Sequence, residues 1–105
     1  MSKHERKNLR RNRLLAILRE FKRDYAEKYG ILEIGIFGSL ARDEGGEDSD
    51  VDIFIRTKTP NPFILVHIKE DLEGLTGKHV DIVRMREKMN PFLRERIEKE
   101  GRYVR

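Results

Sequence analysis

Two aspartates, two positions apart in an otherwise apolar run, constrain this chain more than any other feature. The run is Asp50-Val51-Asp52-Ile53-Phe54-Ile55. Successive side chains of a strand point to opposite faces, so Val51, Ile53 and Ile55 share one face while Asp50, Asp52 and Phe54 share the other. Same-face neighbours lie roughly 7 Å apart, which puts both carboxylates in one small volume. Like charges that close repel, and more strongly if the strand is partly buried. A divalent cation removes the penalty, because Mg²⁺ takes hard oxygen ligands and is typically held by one or two carboxylates plus substrate phosphates. The pair reads as a metal site.

A third acid strengthens that reading. His79-Val80-Asp81-Ile82-Val83 is another short strand signal, with Asp81 set among β-branched residues where a charge needs a reason. If this strand lies beside the first, Asp50, Asp52 and Asp81 converge. Three carboxylates suit a pair of metal ions roughly 3.5–4 Å apart, stabilising the attacking and leaving oxygens of an in-line phosphoryl displacement. Residues 43–50 taken alone read as an exposed acidic loop. Asp52 and Asp81 resist that reading, since both sit inside apolar strands.

Gly38-Ser39 precedes Asp50 by ten intervening residues. It follows Leu32, Ile34 and Ile36, which alternate as a strand would, and precedes Leu40-Ala41-Arg42, which suits the opening of a short helix. Backbone N–H groups at a Gly-containing strand-to-helix turn, with a Ser hydroxyl, form a seat for phosphate. Gly38 permits close backbone approach, Ser39 can donate to a phosphate oxygen, and Arg42 can neutralise a polyphosphate tail. Most Gly-Ser dipeptides are only turns; the spacing to Asp50 and Asp52 makes this one informative.

The stretch Gly38-Ser39-Leu40-Ala41-Arg42-Asp43-Glu44, followed by Ser49-Asp50-Val51-Asp52, resembles the signature of the minimal nucleotidyltransferases, the MNT type of the polymerase-beta-like superfamily. In that signature Gly-Ser is separated by ten residues from Asp-x-Asp. Asp43 departs from it, standing where the family usually has Gly. The resemblance implies an α/β (α+β) fold, a small mixed β-sheet backed by helices. It implies transfer of a nucleoside monophosphate from a nucleotide triphosphate to a hydroxyl, with release of pyrophosphate. Many members are the antitoxin of a pair whose toxin is a helical HEPN ribonuclease, and the resemblance implies adenylylation of a tyrosine on that toxin. Mapped onto this chain, Asp50 and Asp52 would hold two Mg²⁺ ions (or Mn²⁺), Asp81 would complete the second, and Gly38, Ser39 and Arg42 would bind ATP.

With 105 residues, the chain, 1–105, is expected to form one domain: a basic N-terminal helix over about 8–28 and a catalytic core over 31–105. Hydrophobic residues are 37% and charged residues 40%, but the apolar ones are periodic, which favours a globular domain over disorder. Absence of cysteine excludes a disulfide framework and a thiolate zinc site. No apolar run has membrane-spanning length and no signal-peptide pattern occurs, so a soluble cytoplasmic protein is expected. Lys3, Arg6, Lys7, Arg10, Arg11 and Arg13 concentrate basic charge before Leu14. A solvated helix start explains them better than contact with nucleic acid or an acidic partner.

Leu14, Leu18, Phe21 and Tyr25, widened by Ile17, mark one face of the first helix, ended by Gly30. Strands are expected near 31–37, 50–56 and 79–84. Asn61-Pro62 and Asn90-Pro91 each announce a helix, the first closed by Gly77 and the second running to Glu100, with Leu65, Ile68, Leu72 and Leu75, then Leu93 and Ile97, facing inward. The tail Arg102–Arg105 suits an edge strand. His4, His67 and His79 show no metal-ligand spacing to one another and read as structural or surface residues. A chain this short leaves no room for an acceptor domain, so a partner protein, or a second copy, is expected to supply the acceptor. Two alternatives remain beside the enzyme: an antitoxin that acts by binding alone, and a transferase for a small molecule.

Overall fold

A computed structural model describes residues 3–42 and 50–104, and for 3–9 the backbone alone. Asp43 and residues 44–49 of the acidic loop, with the side chains of the basic cluster before Arg10, lie outside the described residues. The chain runs α1 (Lys3–Tyr29), β1 (Ile31–Phe37), β2 (Val51–Thr57), α2 (Pro62–Thr76), β3 (Val80–Arg84), α3 (Pro91–Glu100) and β4 (Arg102–Tyr103). The strands form one sheet in the order β3-β2-β1-β4. β2 pairs antiparallel with β1 and parallel with β3, and β4 pairs antiparallel with β1. This is the small mixed sheet backed by helices that the family resemblance implied.

Side-chain parity splits the core between the two faces of the sheet. Val51, Ile53 and Ile55 of β2, Ile34 and Ile36 of β1, and Val80 of β3 are fully buried against Leu14, Leu18 and Phe21 of α1 and Ile68 and Leu72 of α2. The opposite face buries Phe37, Phe54 and Met85 under Ile97 of α3. Gly35 lies on this second face, where a Cβ would run into the Phe54 ring and the Arg102 carbonyl. The missing side chain is what lets Phe54 and β4 close over β1, with Tyr103 edge-on to Phe54 at a centroid distance of 4.8 Å.

Local signals act as expected at the helix ends. The Asn61 side chain accepts from Phe63 N–H at 3.0 Å and Ile64 N–H at 3.4 Å, and Asn90 does the same for Phe92 at 2.9 Å and Leu93 at 3.2 Å. In each case Pro follows at the first helical position, where its missing N–H costs nothing. Gly77 ends α2 in the left-handed conformation, φ 69°. Three expectations shift. The first helix begins at Lys3 rather than near 8, because residues 3–13 contain no breaker even though the apolar stripe begins later. In β1 the pairing with β2 slips between Ile31 and Glu33, so Ile31 is buried and Leu32 is left 44% exposed. Leu75, also expected inward, is 56% exposed at the end of α2.

The second face is thin, and Ile97 is the fully buried residue by which α3 holds to it. Ile97→Ala should therefore cost about 2–5 kcal/mol, as large-to-small core substitutions do. Urea unfolding measures it, and a loss below about 1 kcal/mol would mean that α3 contributes little to the fold.

Candidate active site

The site forms where three chain segments meet at one end of the sheet. β1 ends at Phe37, which is paired with Asp52 of β2. Gly38 then turns the chain with φ 76°, a left-handed value that favours glycine. A Cβ at Gly38 would also collide with the Asp52 carboxylate. Both facts require glycine there: the carboxylate lies against the turn. Arg42 N–H donates to the Gly38 carbonyl at 3.1 Å, closing a single turn through Ser39, and Leu40 and Ala41 anchor that turn in the core. The helix opening expected at Leu40-Ala41-Arg42 is this turn and, within the described residues, nothing longer.

Parallel pairing of β2 with β3 brings the acids together. Asp52 stands beside Asp81 in register, and both belong to the face that carries Phe54 and Val83. One residue earlier, Val51 N–H donates to the His79 carbonyl at 2.9 Å, which brings Asp50 and His79 side by side. His79 Nδ1 lies 3.6 Å from Asp50 Oδ2 and 3.7 Å from Asp81 Oδ1. One ligand atom from each of Asp50, His79 and Asp81 falls within a span of 4.8 Å, and all three residues are exposed. The sequence reading set His79 aside for want of a second histidine at ligand spacing. The available signal was different: His79-Val80-Asp81 repeats the form of Asp50-Val51-Asp52, and the two triplets align strand against strand.

Asp52 is the most enclosed of the acids. Its pKa is raised, first by burial and then by the Asp81 charge; Arg96 opposes this, Asp50 adds to it and Arg42 opposes it. Arg42 Nη1 donates to Glu100 Oε2 at 2.8 Å, and Arg96 Nε lies 3.4 Å from the same oxygen. These hydrogen bonds, chiefly that from Arg42, hold Glu100 below the usual carboxylate range. Ala41, Arg42, Lys99, Glu100, Gly101 and Arg102 line an open cleft next to the Gly38 turn. Arg42, expected to meet a polyphosphate, is thus at the site with its charge shared with α3.

The donors fit a hard divalent cation. Asp50 and Asp81, with His79, bring ligand atoms close together, Asp52 stands in register beside Asp81, and a cation there would relieve the burial and repulsion that raise the Asp52 pKa. Next to them stands a turn with a buried glycine, a partly exposed serine and an arginine. Such an arrangement can hold a metal-bound polyphosphate with a reacting oxygen nearby.

Residues 18–104 match the nucleotidyltransferase domain family. The chain belongs to that family. It is 37% identical over 90 residues, 85% of this chain and 90% of the relative, to the protein adenylyltransferase MntA of Thermococcus cleftensis. The structure superposes on that of a candidate minimal nucleotidyltransferase with a TM-score of 0.64, 31% identity, and coverage of 97% of this chain and 95% of the other. It also superposes, at TM-score 0.60 and 19% identity, on a chain from a complex of a tri-AMPylated Shewanella oneidensis HEPN toxin with its MNT antitoxin; 92% of this chain and 70% of that one are covered. That last likeness is one of fold. The chain is thus a nucleotidyltransferase by family, and no helix among its described residues is long and apolar enough to cross a membrane.

Asp52 also makes a pH prediction. A carboxyl whose folded pKa exceeds its unfolded one destabilises the fold when ionised. The penalty is absent below the ordinary value of 3.8, grows as pH rises, and is complete above the raised value. Asp52→Asn lacks it. In EDTA, the melting temperature of Asp52→Asn relative to the parent should rise as the pH climbs through and beyond 3.8 and level off above the raised pKa. A difference that falls over that range would mean that the ionised carboxylate stabilises the metal-free fold.

Proposed function

We propose that this chain transfers AMP from ATP to a hydroxyl of a partner protein, a tyrosine of a HEPN-type toxin, and thereby acts as its antitoxin. The proposal is supported by the in-register pairing of Asp52 with Asp81 against the Gly38 turn, with Asp50 clustered beside His79 and Asp81, in a chain 37% identical to a protein adenylyltransferase. A fold shared with an MNT antitoxin bound to an AMPylated toxin supports the choice of partner.

In this reading Gly38 brings the backbone close to the triphosphate, and Ser39 donates its hydroxyl to a phosphate oxygen. Arg42, already at the rim of the turn, contributes positive charge to the phosphate tail. Asp50 and Asp52 would hold two divalent ions, Mg²⁺ or Mn²⁺, with Asp81 completing the second; His79, beside Asp50 and Asp81, would be available as a further ligand. When bound, the ions neutralise charge on the phosphates and on the attacking and leaving oxygens. Asp81 also orients the acceptor hydroxyl and takes its proton. A bond forms between the acceptor oxygen and the α-phosphorus, the bond from that phosphorus to the bridging oxygen breaks, and pyrophosphate leaves. Positioning and charge neutralisation supply most of the catalysis, as phosphoryl-type transfers demand.

Intact-mass spectrometry of the partner, incubated with this chain, ATP and Mg²⁺, tests the reading. The partner should gain AMP, and Asp52→Asn or Asp81→Asn should slow that gain by at least about a hundredfold, the scale for losing one charge-stabilising group. Calorimetry should find ATP binding only with the metal present; equal affinity in EDTA would sink the carboxylate assignment. A partner that is silenced by Asp52→Asn without gaining mass would identify an antitoxin acting by contact.

A further inference from the structure

The sheet ends on one side at β3, and the hydrogen-bonding direction of that strand is fixed at both of its ends. Val51 N–H donates to the His79 carbonyl at 2.9 Å, and Met85 N–H donates to the Ile55 carbonyl at 2.7 Å. In a parallel ladder each residue directs its N–H and C=O to the same side, and the side alternates along the strand. His79, Asp81, Val83 and Met85 therefore face β2, while Val80, Ile82 and Arg84 direct their backbone groups away from the sheet. Glu73 of α2 accepts from Val80 N–H at 3.0 Å. Among the described residues, no acceptor meets the outward N–H of Ile82 or Arg84.

An open strand edge is a template for another chain, which proteins usually blunt with proline, a bulge or extreme shortness. The opposite edge, β4, has only two residues. β3 has five, contains no proline, and keeps continuous register with β2 from Val80 to Arg84. The edge also runs past the site. Asp81 is one strand position from Ile82, and its side chain shares a sheet face with Asp52.

We infer that the free edge of β3 is where the acceptor docks, as an extended segment pairing with Ile82 and Arg84 and carrying its hydroxyl over Asp81. This rests on the transferase reading above. A strand added there lies about 4.8 Å from β3. Its residue opposite Asp81 has a Cβ about 4.5–5.5 Å away, and diagonal neighbours about 7–8 Å away remain within reach of an aromatic side chain. A serine or threonine hydroxyl would have to sit directly opposite Asp81, whereas a tyrosine two residues along can reach back to it. The segment needs free backbone groups at its pairing positions, which excludes proline there. Glu73, whose carboxylate already sits on this edge at Val80, favours lysine or arginine in the segment. Strand addition of this kind draws affinity from the main chain and specificity from alternate side chains.

The test uses the full chain with ATP and Mg²⁺ and a capped peptide, Lys-Gln-Val-Tyr-Val-Gln-Lys, together with the same peptide bearing phenylalanine for tyrosine. Hydrogen exchange read by NMR should show Ile82 and Arg84 amides slowed about tenfold at peptide concentrations near ten times its Kd. Val83, already bonded to β2, should change less. Both peptides should protect equally, and only the tyrosine peptide should gain AMP. Arg84→Pro, which removes an outward donor and leaves the β2 ladder intact, should raise KM for the peptide and leave KM for ATP unchanged. AMP transfer without protection at Ile82 and Arg84 would overturn the docking edge and leave the transferase reading standing. Protection by both peptides without transfer would uphold the edge and count against the transferase. Protection in the protein alone, growing with its concentration, would mean that a second copy covers the edge, and would overturn the inference.

Discussion

The parallel pairing of β2 with β3 is the contact on which the rest of this molecule depends. It lays Asp52 against Asp81 and Asp50 against His79, and it does so because the residues between them are bound for the core. Val51, Ile53 and Ile55 are fully buried against α1 and α2, and Val80 follows on β3. A slip of one residue would drive the carboxylates into that apolar layer and expose the isoleucines, so register is held by burial rather than by the acids. The apolar face determines where the charges go.

Gathering charge in this way has a local cost, and the fold confines it. The pKa of Asp52 is raised, through enclosure and the nearness of Asp81. Asp50, His79 and Asp81 are open to water, which screens them. Arg96 of α3 and Arg42 of the turn oppose the shift at Asp52, and Glu100 holds both arginines near it. The short helix on the second face thus does two things. Ile97 covers Phe54, and Arg96 and Glu100 set the electrostatic border of the site.

Much of this was legible in the sequence, and the parts that were not share a cause. Element positions followed from periodicity and from strong local devices: Asn61-Pro62, Asn90-Pro91 and Gly77 each act within a few residues, so no tertiary information was needed. The meeting of Asp52 with Asp81 required only that two apolar strands be neighbours. The exposure of Leu32 depends on a register slip in β1, which no alternation pattern reveals. The pairing of Arg42 with Glu100 joins residues far apart in sequence, across the interface between the turn and α3. His79 was missed because ligand spacing was sought along the chain, whereas its neighbours come from the facing strand.

His79 bears on how the acids remain compatible with folding. In the ladder it occupies the position beside Asp50, as Asp81 occupies the position beside Asp52. A carboxylate there would put four negative charges on two adjacent strand ends, with Asp50 facing a like charge as Asp52 does. Imidazole avoids this. Neutral, it adds no repulsion; protonated, it lies 3.6 and 3.7 Å from two carboxylates and offsets part of theirs. Histidine relieves Asp50 and Asp81 in this way, while Arg96 and Arg42 only partly offset the burial and the Asp81 charge that raise Asp52. A cation beside Asp52 and Asp81 would relieve what remains, next to the Gly38 turn.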